Sequence, residues 1–479
     1  MCNEISKYYP NIIKNIAGYL PSRILIILNS IIIIPLLARA INHEQMSIYL
    51  IAIQILNLIC TCSTDGIGKA VLRFYEKYNI QDKMDLFFSS ILWMFAGIYA
   101  VVWILFFILK DILLTNFSIT YTTAIITLLL VIPCGVRQLL YQILRVRNHI
   151  KLYTFSILFY QVMFVTFFLT VSNINSFVSA NIILIAMSCA VTLIDVLIML
   201  RISLEYKIKF FIDKEIINET LKYLVPLFFT NVSYWYVLNI AKFMFQGAKD
   251  YTSTSVFGLA WSTATWLVGP VLTVFIFSSF PILVKKFELN EKVKDYFTNL
   301  IQLYLIIVIP VISVFFLYPK IITQVLLPPS YSNAYLLFPF FALSMCIHEL
   351  AKLINIKYHL QNKIYIELCL GIIVTIISLL LNIYLINKYM LLGAAIALLL
   401  SELLLLAMNM FVKFQNFDYI NHRKVLKTLI IVMFSSILIY SIISIPFVHM
   451  NKYMRLLELI LYLSTNYSIF FAFRKNLLN

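Results

Sequence analysis

The chain has 479 residues, of which 62% are hydrophobic and only 12% charged, with a mean hydropathy of +0.93. Soluble domains carry about a quarter charged residues, so this composition excludes a soluble globular protein and assigns the chain to a membrane. The formal net charge of +16 raises nucleic acid as a partner, but the placement of the charges excludes it.

The first long apolar element runs from Leu20 to Ala40. Fifteen uncharged residues separate Arg23 from Arg39, and eleven of them are Ile or Leu. As a helix the whole segment rises roughly 30 Å, the thickness of a bilayer's hydrocarbon core. Only Asn29 and Ser30 interrupt it, where a soluble helix would carry a polar stripe. Ala38-Arg39-Ala40 mimics a signal-peptidase site, but the run is too long for a signal peptide's apolar region and further spans follow it. Apolar runs of spanning length recur at 18–40, 45–64, 87–109, 118–139, 152–172, 178–200, 221–245, 254–283, 299–318, 333–356, 364–386, 390–412, 426–448 and 454–473. The expected fold is all-α and polytopic, with fourteen transmembrane helices.

The basic residues test this count. With a cytoplasmic N-terminus, 29 of the 37 lysines and arginines fall at the inner ends of the spans and in inner loops. Every inner loop between spans holds at least three of them, and every outer loop at most two. This alternation is the positive-inside pattern, and one missed or invented helix would scramble it. It places both termini in the cytoplasm and attributes the net charge to membrane topology, not to nucleic acid. External loops are short. The inner connectors 65–86 and 201–220 mix both signs and read as solvated amphipathic segments.

An internal repeat follows. Ser47-Ile48-Tyr49-Leu50-Ile51-Ala52 matches Ser255-Val256-Phe257-Gly258-Leu259-Ala260 at an offset of 208, and Arg147-Asn148-His149-Ile150 matches Gln361-Asn362-Lys363-Ile364 at 214. Six helices separate the copies, so the halves insert the same way up. The expected organisation is an N-terminal six-helix lobe at 1–200, a connector at 201–220, a C-terminal six-helix lobe at 221–412 and two additional helices at 413–479.

No motif argues for an enzyme, a metal or a cofactor. Gly66-Ile67-Gly68-Lys69 fails as a phosphate loop because Ser63 and Ala70 stand where Gly and Ser or Thr are needed. His348-Glu349 fails as a zinc motif because Lys352 takes the second histidine's place. No nucleophile elbow occurs. The seven cysteines form no C-x-x-C and lie mostly in apolar runs, as small packing residues do. Polar residues within spans cost free energy and usually face an interior or a watery cavity. Candidates are Asn29, Gln54, Asn57, Arg137, Asp195, Asn231, Lys242, His348, Glu349, Lys352, Asn382 and Glu402. For the amides the plain role is interhelical hydrogen bonding, and for Arg137, Lys242 and Lys352 it is snorkelling from a helix end. A Glu349–Lys352 pair along one helix is the plain alternative to a site. Glu402, amid leucines, is the hardest to dismiss. Prolines 35, 133, 226, 270, 310 and 339 fall inside spans and can kink them.

Four stretches together resemble the polysaccharide-transport family of the multidrug/oligosaccharidyl-lipid/polysaccharide (MOP) exporter superfamily, in particular O-antigen (Wzx-type) flippases. They are Ile34-Pro35-Leu36-Leu37-Ala38-Arg39 leading to Ser47-Ile48-Tyr49; Asp65-Gly66-Ile67-Gly68-Lys69-Ala70-Val71-Leu72-Arg73-Phe74-Tyr75; Leu221-Lys222-Tyr223-Leu224-Val225-Pro226-Leu227; and Leu381-Asn382-Ile383-Tyr384-Leu385-Ile386-Asn387-Lys388-Tyr389 through Gly393-Ala394-Ala395-Ile396-Ala397. One departure is Ala241-Lys242, where the family often has an Asp-Arg pair.

The resemblance implies two six-helix lobes around a cationic cavity, and a last helix pair that grooves a lipid tail. The implied substrate is an undecaprenyl-pyrophosphate-linked oligosaccharide, carried from the cytoplasmic to the periplasmic leaflet of a bacterial inner membrane. Membrane lipid and a polysaccharide polymerase are the expected partners. On this reading Arg23, Arg137 and Lys352 receive the pyrophosphate near the inner helix ends, and Arg39 and Lys242 meet it near the outer ends. At the 214-residue offset Arg137 falls one residue from Lys352. Glu402, Asp195 and Glu349 are candidates for coupling or for structural roles. The alternatives are an ion-coupled drug exporter of the same superfamily, expected to hold a carboxylate in helix one or seven, and a polymerase or ligase, expected to show a large external loop.

Overall fold

The computed structural model describes residues 24–468 apart from 29, 118, 148, 175–177, 204–212, 289–292, 362, 413–421, 445–454 and 456. Arg23 and Asn29 lie outside the described residues, as does most of the expected 201–220 connector. The described chain is helical, with no strand. Lipid offers the backbone no hydrogen bonds, so spanning segments must satisfy their amides and carbonyls internally. In order the helices are α1 (Ile24–Ala40), α2 (His43–Cys60), α3 (Gly66–Ile80), α4 (Met84–Phe117), α5 (Tyr121–Val146), α6 (Ile150–Ile174), α7 (Ala180–Ser203), α8 (Lys214–Gly247), α9 (Tyr251–Glu288), α10 (Val293–Leu317), α11 (Pro319–Leu326), α12 (Phe338–Leu360), α13 (Ile364–Phe411), α14 (His422–Ser444) and α15 (457–468).

Among the described residues, eleven helices are long and apolar enough to cross a membrane. They accommodate the fourteen expected spans, because α1 is a shorter apolar helix, α15 covers part of the last span, and the 48-residue α13 contains two spans. Met390 breaks α13 with φ 51° and ψ −126°. The chain turns so tightly there that a Cβ on Gly393 would overlap the Leu385 carbonyl, which explains a glycine three residues past the break.

Helix boundaries follow local chemistry. Asn42 Oδ1 accepts from the Gln45 amide at 2.8 Å and caps α2, and Asp213 Oδ1 accepts from the Glu215 and Ile216 amides and caps α8. The Asp213 cap starts α8 seven residues before the expected span, so Glu215 and Glu219 are helical and not part of a loop. Helix two is likewise longer than expected. A π-helical turn at Thr61–Asp65 joins α2 to α3, which runs on to Ile80. Thr230 Oγ1 donates to the Pro226 carbonyl at 3.0 Å and Ser313 Oγ to that of Pro310 at 2.8 Å, side-chain bonds made back along their own helices.

By contacts the chain forms two compact units, one of Leu36–Leu259 with Ile364–Leu379, the other of Met1–Pro35, Ala260–Lys363 and Leu380–Asn479. In the first, α5, α6 and α7 pack together, α2 and α3 pack on α5, and α8 packs on α2, α3 and α4. In the second, α10 packs against α12 and α14. Large apolar side chains such as Ile104, Ile108, Leu380 and Phe434 point outward, as they do when the solvent is hydrocarbon. Ser47, Ser89, Ser90, Thr254, Ser255 and Thr263 are buried at the helix contacts, where small side chains let backbones approach.

The first repeat pair meets face to face inside the first unit. Leu50 fills the space left by Gly258, where a Cβ would come within 2.7 Å of its Cδ1. These two residues occupy matched positions in the repeat. His43 Nδ1 and Ser255 Oγ lie 2.6 Å apart at the same contact.

Candidate functional site

In the first unit, α8 grips the long second helix through neutral side chains. Asn231 Nδ2 donates to the Thr61 carbonyl and Trp235 Nε1 to the Gln54 carbonyl, each at 3.0 Å. The Thr61 bond falls on the π-helical turn, where the ladder of i−4 bonds is interrupted and carbonyls are open to other donors. On another face, Tyr234 donates to Glu367 Oε1 at 2.9 Å from the first turn of α13, and Gly371 lies against Ser233. Asn231 thus performs the interhelical bonding expected of it, whereas Asn57 is exposed.

The candidate cations of this unit differ in surroundings. Lys242 is fully buried on α8 and donates to Asn239 Oδ1 at 2.7 Å, one turn earlier. Arg137 is partly buried on α5, its guanidinium carbon 4.3 Å from the centre of the Tyr160 ring on α6, a cation–π arrangement that offsets lost hydration. Asp195, on α7, is 4% exposed and interacts electrostatically with Arg137. Neither of its carboxylate oxygens makes a hydrogen bond. Arg39 is exposed at the end of α1. At the α3–α8 contact Lys77 and Tyr78 both reach Glu219, Lys77 at 2.6 Å and Tyr78 at 2.7 Å.

The second unit holds the acidic candidates Glu349 and Glu402. Lys352 Nζ donates to Glu349 Oε1 at 3.0 Å within α12, with the lysine side chain 42% exposed and the glutamate 2%. His348, the neighbouring residue, lies 3.0 Å by Nδ1 from Oε2 of Glu402 on α13. The structure therefore joins Lys352 with Glu349, His348 with Glu402, and Arg137 with the surroundings of Asp195. Lys357 is a buried ionisable residue that the sequence does not single out. This lysine is buried near the end of α12 and donates to the carbonyls of Asn409 and Val412, capping the C-terminal end of α13. Its position at a helix end fits snorkelling equally well, and its acceptors, more than fifty residues away, leave no local signal. Glu458, which accepts from the Tyr318 hydroxyl at 2.8 Å, is another such residue. Among the described residues, no group of three His, Cys, Asp or Glu could hold a metal ion.

Comparisons with protein-family models and with curated proteins return no match. Solved structures do match in fold. A lipid II flippase, MurJ, in an inward closed conformation superposes with a TM-score of 0.68 at 16% identity, over 97% of this chain and 99% of that one. An inward-facing MATE-family multidrug-resistance transporter of the MOP superfamily gives 0.60 at 12% identity, over 81% and 94%. The eukaryotic MATE transporter AtDTX14 gives 0.60 at 12%, over 88% and 98%. The chain is thus a multi-pass membrane protein with the fold of the MOP superfamily, in agreement with the resemblance read from its motifs.

Proposed function

We propose that the protein is a flippase, carrying an undecaprenyl-pyrophosphate-linked oligosaccharide from the cytoplasmic to the periplasmic leaflet of a bacterial inner membrane by exposing its headgroup site to each side in turn. The observation that carries this reading is the extent of the likeness to the lipid II flippase, which takes in the chain nearly end to end. The two MATE transporters each leave more than a tenth of it uncovered. The last two helices, α14 and α15, are built into the second unit. Gln302 Nε2 donates to Thr428 at 2.8 Å, Tyr467 donates to the Ile307 carbonyl at 3.0 Å, and Ser313 and Tyr462 share a hydrogen bond. Both helices expose apolar side chains, among them Leu426, Ile430, Phe434 and Ile460, which suits contact with a long isoprenoid tail.

In this reading the pyrophosphate meets cations while the tail stays in lipid. Arg39 and Lys352 are the exposed members of the cationic set, and Arg39 offers the forked guanidinium that pairs with phosphate oxygens. Lys242 and Arg137 act from buried positions, adding positive potential where the low dielectric strengthens it, and Arg23 completes the set. A cell lacking the gene is expected to retain lipid-linked repeat units on the cytoplasmic leaflet and to lose surface polysaccharide. Arg39→Ala and Lys352→Ala, at normal abundance, are expected to lower export strongly. Full export by both variants would overturn the site assignment. Export of cationic dyes with no effect on lipid-linked sugars would favour the drug exporter.

A further inference from the structure

The second unit contains an ionisable pair that a merely structural contact does not need. His348 Nδ1 and Glu402 Oε2 lie 3.0 Å apart with side chains only 3% and 1% exposed. Glu402 Oε1 is buried and makes no hydrogen bond. The contact between α12 and α13 uses one oxygen of this carboxylate. Here one acceptor is left open in an apolar interior, where an unsatisfied charged oxygen costs several kilocalories per mole.

The charges around the pair leave room for one proton. With the imidazole neutral and the carboxylate ionised, the pair carries one negative charge. One added proton, on the carboxylate or on the ring, makes it neutral overall. Neither lysine of α12 bonds to Glu402, because Lys352 is on Glu349 and Lys357 is on the Asn409 and Val412 carbonyls. From α10, Tyr304 donates to the Cys346 carbonyl at 2.7 Å, and from α13, Ser401 donates to the Ala397 carbonyl. From α9, Trp261 meets the Phe341 ring and Gly269 faces Met345. Glu349 and Lys352 neutralise each other, and Glu349 Oε2 is also buried without a hydrogen bond. Lys352 is 42% exposed, so the Glu349–Lys352 pair carries a polar contact from the surface into the interior.

We propose that His348 and Glu402 form a proton-binding site that takes up and releases one proton in each transport cycle. The open Oε1 of Glu402 receives the proton while Oε2 keeps its contact with Nδ1 of His348, and the proton leaves from the same oxygen. The site makes the pH gradient across the membrane a source of work for the transport proposed above, and binding of the proton itself does not depend on which substrate is carried.

The test has two arms. Protein in nanodiscs of phosphatidylethanolamine and phosphatidylglycerol, with no substrate, is titrated from about pH 5 to about pH 8 while the infrared carboxyl band is followed. The wild type is expected to show a titrating carboxyl that is missing in Glu402→Gln and shifted in midpoint in His348→Gln. Identical titrating bands in wild type and Glu402→Gln would overturn the site. In cells, collapsing the pH gradient with nigericin is expected to lower export several-fold for the wild type, and to leave unchanged whatever export Glu402→Gln retains. A well-expressed Glu402→Gln protein as sensitive to nigericin as the wild type would also overturn it. The nanodisc arm contains no lipid-linked sugar, so failure there concerns the proton site alone. A wild type that binds the proton but moves no lipid-linked oligosaccharide would instead refute the flippase reading.

Discussion

Two sets of helix contacts, one in each compact unit, are held by different chemistry. In the unit built on α2–α8, the second helix is tied to α8 by an amide and an indole, each donating to a backbone carbonyl. In the unit built on α10, α12 and the later part of α13, neutral bridges such as Gln302 with Thr428 stand beside contacts through ionisable groups: His348 with Glu402, Lys352 with Glu349, Lys357 with helix-end carbonyls, and Tyr318 with Glu458. Neutral bridges cost little to bury and stay in one state, with interhelical hydrogen bonds in membranes contributing about 1 kcal/mol each. Ionisable bridges cost more to bury and can change state when a proton arrives. The contrast assigns fixed packing to the first set and leaves a change of state to part of the second.

Substitutions can break this contrast or sharpen it. The largest effect is expected at Lys357, an ionisable group in a fixed role. Lys357→Met leaves two helix-end carbonyls without a donor and is expected to cost about 2–3 kcal/mol, read as a lower thermal midpoint in detergent. The loss should be the same at every pH at which the wild-type lysine is charged, which separates a cap from a proton site. An unchanged midpoint would mean that water caps the end of α13 equally well. Asn231→Leu is expected to cost about 1 kcal/mol and to leave any pH dependence of export untouched. A shift in that dependence would show that the neutral seam also switches. The smallest effect is expected at Lys77→Ala. Its pair with Glu219 is part-exposed, with side chains 45% and 33% exposed, and such pairs contribute roughly 0.5 kcal/mol, less at high salt. A loss as large as that at Asn231 would place the α3–α8 contact among the fixed seams.

Much of the fold was legible because a bilayer imposes a coarse rule. A span must be apolar over about twenty residues, and its cationic ends report orientation, so segments such as 87–109 and 178–200 could be bounded within a few residues. Where the rule is silent, reading failed. The first seven residues of α8, three of them charged, read as connector, although Asp213 is a good N-cap that marks the start. The π-helical turn at Thr61–Asp65 has no compositional signal, because it depends on what packs beside it. The Met390 break was visible only indirectly, in Asn387-Lys388-Tyr389 and in Gly393, since methionine does not normally signal a positive φ. At the candidate site, the sequence picked out Glu402, His348, Glu349 and Lys352 as polar residues out of place. The pairing of Glu349 with Lys352, three apart on one helix, could be anticipated from helix geometry.

By itself the sequence determined that this is an all-helical, multi-pass membrane protein, and it led to the expectation of a parallel repeat and of an alternating topology. Each of these depends on local hydrophobicity and charge, which act along the chain without reference to distant residues. Only the tertiary structure decided which polar residues face one another: His348 with Glu402 at 54 positions' distance, Lys357 with the end of α13, Leu50 with Gly258. In hydrocarbon a buried polar group must find a partner somewhere, but sequence position does not say which helix supplies it. That choice is made by close packing, which brings together side chains from helices far apart in the chain.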